Sequence, residues 1–61
     1  MNLIKALEAA IAEEKAAADK YRDQAEKAED PESRLLFAQL AREEESHYKR
    51  LVDRLKALRA L

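Results

Sequence analysis

Three residues of this chain, Glu14, Glu44 and His47, have side chains and spacings that could bind a metal ion. Glu44 and His47 are the ends of the segment "EESH", and a separation of three residues puts them on one face of a helix. His47 is the only histidine, and the chain has no cysteine. Carboxylate oxygen and imidazole nitrogen suit iron, manganese or zinc. These residue types therefore indicate a metal site with oxygen and nitrogen ligands.

Each of these residues also has a structural explanation when it is taken alone. A glutamate beside an apolar stripe often extends its carboxylate into water. A single histidine on an apolar face is more often a hydrogen-bonded core residue than a ligand, and Glu-x-x-His occurs on many surface helices. The metal interpretation depends on whether Glu14 reaches the same height and the same face as Glu44 and His47.

The single proline divides the chain into two helical halves. Asp30 is a favourable N-cap, Pro31 suits the first helical position, and Glu32 complements the helix dipole. Glycine is absent, and alanine, glutamate, lysine, arginine and leucine dominate, as is typical of helices. We predict an all-α fold with one helix over about residues 3–29, a tight turn around Asp30-Pro31, and a second helix over about 31–59. The short connection makes the helices antiparallel neighbours in a hairpin.

Heptad spacing predicts an apolar seam on each helix, and the three candidate ligands lie within these seams. In an antiparallel hairpin residue i faces about residue 60 − i, so Glu14 lies at a level between Glu44 and His47. The predicted seam residues are Ile4, Leu7, Ile11, Glu14, Ala18, Tyr21, Ala25 and Ala28 in the first helix, and Phe37, Leu40, Glu44, His47, Leu51, Arg54, Leu58 and Leu61 in the second, widened by Leu36, Val52 and Leu55.

Two amphipathic helices cannot enclose a core, because each seam keeps an open side. We therefore predict a homodimer or a higher homo-oligomer in which two hairpins form a four-helix bundle. The dimer would bring two copies each of Glu14, Glu44 and His47 into one central cavity. Buried carboxylates repel one another unless cations neutralise them. The pattern predicts two metal ions per dimer, with iron as the first choice and manganese or zinc as alternatives.

The neighbouring acidic residues Glu13, Glu43 and Glu45 are predicted to face solvent, since successive helical residues are rotated by about 100°. Glu43 is placed for a surface contact with His47. Tyr48 is predicted to lie off the seam, at a boundary or interface.

Charge and hydropathy exclude several classes of partner. Lysine and arginine number 12 against 13 aspartates and glutamates, a net charge of −1, which predicts neither a nucleic acid nor an anionic membrane as partner. No apolar run approaches the ~20 residues that span a bilayer, and "MNLIKALEAA" lacks the features of a secretory signal. We expect a cytoplasmic protein. The composition fits both a natural and a designed helical bundle.

The motifs of the chain resemble those of the ferritin-like superfamily. The segment "EKAAADKY", residues 14–21, is similar to the first-helix segment of rubrerythrins, in which a ligand glutamate precedes a tyrosine by seven residues. The segment "EESH", residues 44–47, is similar to the family's Glu-x-x-His. The stretch "DPESRLLFAQLAREEESH" resembles encapsulated ferritins, single hairpins that form a di-iron site between two subunits. The resemblance covers about residues 4–58.

The resemblance implies that Glu44 is a bridging carboxylate, Glu14 a terminal carboxylate and His47 a terminal nitrogen ligand. Tyr21 would either hydrogen-bond to a ligand carboxylate or pack in the core. Rubrerythrin-type sites use an additional carboxylate. Position 17, one turn after Glu14, carries alanine in this chain. The implied function is ferroxidase-like oxidation of Fe(II) by O₂ or peroxide. The alternatives are a non-catalytic helical scaffold, metal-stabilised or metal-free, and a hairpin that docks onto another protein.

Overall fold

The computed structural model describes all 61 residues as two α-helices joined by a short connection. Helix α1 spans Leu3–Lys27 and helix α2 spans Pro31–Arg59. The helices run antiparallel and form a hairpin with dimensions of 47 × 16 × 13 Å. Neither helix combines the length and the apolar character that crossing a bilayer requires. The fold is therefore a helical hairpin.

Polar side chains define where both helices begin. The Asn2 side chain accepts a hydrogen bond from the Lys5 backbone N–H at 3.1 Å, and the Asp30 carboxylate accepts one from the Ser33 N–H at 2.8 Å. These bonds satisfy backbone donors that have no partner within the first turn. The bond from Ser33 holds the pKa of Asp30 below its ordinary value. Pro31 occupies the first turn of α2, where its missing N–H costs nothing.

Helix α1 ends at Lys27, two residues before the boundary predicted from the sequence. Ala28 is extended, with φ −65° and ψ 134°, and Asp30 is extended with φ −88° and ψ 145°. Asp30 has to leave the helical region both to cap α2 and because it precedes a proline. The reversal of the chain therefore uses residues 28–30, which leaves α1 shorter than predicted.

The most buried residues of the hairpin include one alanine from each helix. Ala18, Ala41 and Leu55 are the three buried residues of the hairpin. Alanine allows two helices to approach each other closely. The face of α2 that packs against α1 is therefore the one that carries Ala41, Tyr48 and Leu55. Tyr48, predicted to lie off the seam, is therefore half-buried, and Arg54, predicted to lie in it, is exposed. Leu61, also predicted to lie in the seam, lies beyond the end of α2 and is 98% exposed. The other predicted seam residues of α2 flank this face.

One side of the hairpin is charged. Arg22 of α1 donates to Glu45 of α2 at 2.7 Å, and Arg59 of α2 donates to Glu8 of α1 at 3.2 Å. Glu45 was predicted to be a solvated residue, but it is half-buried and links the helices. The polar cross-links on this side fix the register of the hairpin.

The opposite side is largely apolar and has no covering element. With successive residues rotated by about 100°, this side collects leucines from α2 and small residues from α1. We call it the open apolar face, and it comprises Leu36, Leu40, Leu51 and Leu58 together with Ala6, Ala10 and Ala17.

The hairpin alone encloses very little core. Its accessible surface is 4765 Å², whereas a folded monomer of this mass exposes about 4,000 Å². Its radius of gyration is 14.2 Å, against about 10.5 Å for a compact chain of this length. Both excesses show that the hairpin leaves surface that a compact domain would bury, and the open apolar face is part of that surface.

Candidate metal centre

Helices α1 and α2 bring Glu14, Glu44 and His47 together at one level of the hairpin. One ligand-type atom from each residue lies within 4.8 Å of the other two. His47 Nδ1 is 3.5 Å from Glu14 Oε2 and 3.7 Å from Glu44 Oε2. The structure thus groups the three residues that the sequence analysis selected. We call them the carboxylate–histidine cluster.

The cluster lies at the edge of the open apolar face. Side-chain exposure is 27% for Glu14, 23% for Glu44 and 47% for His47. The two carboxylates are therefore largely withdrawn from water, while the imidazole remains half-exposed. The exposed part of the cluster points to the side of the hairpin that lacks a covering element.

The clearest chemical signal in the cluster is an unpaired acceptor. Glu14 Oε2 is buried and has no hydrogen-bond partner. Leaving a buried acceptor unpaired typically costs about 1–3 kcal/mol, and more for a charged group, so native proteins rarely keep one without a reason. A cation in the cluster would supply the missing partner and would offset the charge of both carboxylates. The donor set therefore fits a divalent ion such as Fe(II), Mn(II) or Zn(II).

Each hairpin offers an incomplete set of ligands. The cluster contains two carboxylates and one imidazole, whereas zinc in proteins is usually four-coordinate and iron sites in helical bundles draw ligands from four helices. Further ligands would have to come from water or from another protein chain. The open apolar face lies beside the cluster.

The two carboxylates of the cluster disturb each other. The pKa of Glu44 is raised above its ordinary value, first because the neighbouring Glu14 carboxylate could accept a hydrogen bond only from the protonated form of Glu44, then by burial and by the Glu14 charge, while His47 opposes the shift. The ionised form of Glu44 is therefore disfavoured in the folded state. A proton or a metal ion at this position relieves the repulsion.

This shift predicts that the metal-free protein loses stability as the pH rises. A carboxyl whose folded-state pKa is raised stabilises the fold fully below its unfolded pKa, which is ordinarily near 4.5. The contribution is lost as the pH rises through the higher folded-state value. We expect the contribution of Glu44 to the melting temperature of chelator-treated protein, followed by circular dichroism, to decline as the pH rises above the ordinary carboxyl pKa.

The variant Glu44→Gln isolates this effect, because glutamine resembles the protonated carboxyl and does not titrate. The lowered pKa values of Asp30 and Glu45 act in the opposite direction at low pH, and they remain in both proteins. The melting temperature of Glu44→Gln minus that of the original chain should therefore increase as the pH rises. A difference that is constant with pH would contradict the proposed repulsion.

A depression of about 380 Å³ opens beside the cluster and is lined by Glu14, His47, Arg50 and Leu51. Arg50 was not selected from the sequence. Its position three residues after His47 was the available signal, since such a spacing places it on the neighbouring part of the same face.

The other residues considered from the sequence lie outside the cluster. The Tyr21 ring stacks on Phe37 with 6.3 Å between ring centroids, and Lys20 Nζ lies 4.8 Å from the Tyr21 centroid. The hydrogen bond from Tyr21 to a ligand carboxylate is not formed in the single hairpin and stays a prediction for the assembled site. Glu13 and Glu43 are exposed. The imidazole of His47 lies near Glu14 and Glu44, and the surface contact with Glu43 is not formed.

Comparison with known families extends over nearly the whole chain. The family model for rubrerythrin matches residues 1–60. The match includes both helices and all three residues of the cluster. No curated protein and no solved structure matches the chain. The match over residues 1–60 shows that the chain belongs to the rubrerythrin family, within the ferritin-like superfamily.

Proposed function

We propose that two copies of the hairpin form a ferritin-like four-helix bundle that binds two metal ions, in the first place iron, and oxidises Fe(II) with O₂ or peroxide. The observation that carries the metal site in this proposal is the buried, unpaired Glu14 Oε2 within a cluster of metal-ligand groups. Membership of the rubrerythrin family supports iron as the metal.

The position of the cluster along the helices supports a shared site. The midpoint of α1 is residue 15 and that of α2 is residue 45, and both lie next to cluster residues. A two-fold axis perpendicular to the helices through this level would superpose the cluster of one hairpin on that of the other. The same two-fold arrangement would bring the open apolar faces of the two hairpins into contact. Assembly and completion of the ligand set would therefore coincide.

In this bundle the residues of the cluster have different tasks. Glu44 would bind between the two ions, while Glu14 and His47 would each bind one. Bound iron would supply electrons: for each hydrogen peroxide that takes up two protons and becomes two waters, two Fe(II) would become two Fe(III). The chain's own contribution is to hold the two carboxylates in a site largely withdrawn from water. There the positive charge of a divalent ion would balance their negative charges. Ala10 and Ala17 on the open apolar face would leave space for a small oxidant.

Anaerobic loading with Fe(II), followed by air, tests the proposal on the full chain. We expect close to one bound iron per chain, measured by elemental analysis after desalting, and a dimer by sedimentation. Admission of air should produce a new near-ultraviolet absorption, which a chelator-treated sample should lack. A protein that retains no iron, or whose bound Fe(II) stays reduced in air, would contradict the proposed oxidation.

The alanine at position 17 favours a second candidate function. A site with two carboxylates per chain has fewer negative groups than rubrerythrin-type sites, and such a site would suit a structural ion that stabilises the assembly without turnover. In that case Zn(II) and Fe(II) would both raise the melting temperature, and air would leave the bound iron in the reduced state. The loading experiment therefore separates the two candidates.

A further inference from the structure

Arg50 is the cationic side chain that shares the depression beside the carboxylate–histidine cluster. It follows His47 by three residues, which rotates it about 60° further around α2. This rotation is directed away from α1, so Arg50 stands at the outer rim of the open apolar face. In the hairpin the depression is open to solvent.

The guanidinium of Arg50 is free within the hairpin. None of the eight ion pairs involves it, although Arg22 and Arg59 are both paired. Arg50 also makes none of the side-chain hydrogen bonds. A guanidinium offers five N–H donors in a planar fork suited to anions. These donors are available to a ligand in the depression.

The charge balance of the loaded site favours an anion. Glu14 and Glu44 contribute −2 per chain, one divalent ion contributes +2, and Arg50 adds +1, so the site carries a net charge of +1. The depression of about 380 Å³ has room for about a dozen waters at roughly 30 Å³ each. We propose that Arg50 and the bound metal together hold a small monoanion, of the class of azide or superoxide. This inference rests on the proposed function, since it requires the metal ion.

Azide binding to the Co(II)-loaded protein tests the inference without any turnover. Changes in the visible absorption of Co(II) report on azide in the full chain. We expect Arg50→Ala to weaken azide binding about ten-fold, as loss of a charge-assisted hydrogen bond should, and Arg50→Lys to recover part of that loss. Arg42→Ala is the matched control, since Arg42 is another exposed arginine of α2 without an ion pair and lines a different depression.

The Co(II) content of each variant distinguishes the possible failures. Arg50 is exposed and unpaired, so Arg50→Ala should keep the Co(II) stoichiometry and the helical content of the original chain. If Arg50→Ala binds Co(II) and binds azide as tightly as the original chain, the role of Arg50 is overturned while the metal site stands. If the original chain binds no Co(II), the metal site itself fails, and the anion site fails with it.

Discussion

Replacement of Glu44 by alanine is expected to abolish iron retention and the oxidation that follows it. The substitution removes one ligand from each chain, and Glu44 is the residue proposed to bind between both ions. Loss of an outer partner of a metal ligand already lowers metal affinity by about 10- to 100-fold, so loss of the ligand itself should exceed 100-fold. Iron per chain after anaerobic loading and desalting, together with near-ultraviolet absorption in air, measures the effect.

Glu43→Ala is the control for this substitution. Glu43 is the adjacent residue, is exposed and lies outside the cluster. The two variants therefore make the same change in charge and in side-chain volume at neighbouring positions of α2. Glu43→Ala should load iron like the original chain. Normal iron content in Glu44→Ala, or equal losses in both variants, would contradict the assignment of Glu44 as a ligand.

Unfolding can be separated from ligand loss in this experiment. The raised pKa of Glu44 shows that its charge is disfavoured in the folded chain, chiefly through the interaction with Glu14. Removal of the carboxylate should therefore leave the metal-free protein at least as stable at neutral pH. Circular dichroism of metal-free Glu44→Ala should show undiminished helix, so that a loss of iron can be attributed to the site.

The sequence predicts the hairpin and the cluster for the same physical reason. Pro31, capped by Asp30, fixes where the second helix begins, and a short connection leaves little freedom in the register. The heptad spacing then places Glu14 on the same face and at the same level as the Glu-x-x-His of α2. These steps depend on backbone geometry, which helical periodicity describes well.

The details in which the structure differs from the prediction depend on side-chain size and on contacts between the helices. Heptad spacing alone cannot show that Ala18 and Ala41 are buried between the helices and that Tyr48 is half-buried beside them. Nor does it show that Arg22 reaches across to Glu45, because such a pair depends on the rotation of both helices. The role of Arg50 could not be predicted from heptad spacing for a related reason. Arg50 lies outside the apolar seam, and its long side chain lines the depression from there.

Replacement of Leu40 by glutamate is expected to break the dimer and, with it, the shared metal site. Leu40 lies on the open apolar face, which the proposed interface buries. Burial of a leucine contributes about 1.5–3 kcal/mol, and an unpaired buried charge is strongly unfavourable. Because the change occurs twice in each dimer, and each 1.4 kcal/mol changes affinity ten-fold, we expect dimerisation to weaken by at least 100-fold. Sedimentation velocity over a range of concentrations measures this.

Leu35→Glu is the matched control because it introduces the same residue into the same helix, about 140° away from Leu40 around the helix axis. Leu35 is 66% exposed and lies outside the open apolar face. If any exposed leucine contributed to self-association, both variants would weaken the dimer. If the open apolar face is the interface, Leu35→Glu should remain dimeric and should load iron normally.

Iron loading of the Leu40→Glu monomer then tests whether one hairpin suffices. The cluster offers three ligand groups per chain, and Leu40 is not one of them, so a monomer keeps every ligand that its own chain provides. A shared site requires that monomeric Leu40→Glu loses iron together with the dimer, and that a high protein concentration restores both. Monomers that retain one iron per chain would instead show that water completes the ligand set, and the unpaired oxygen of Glu14 would then mark a site contained within a single hairpin.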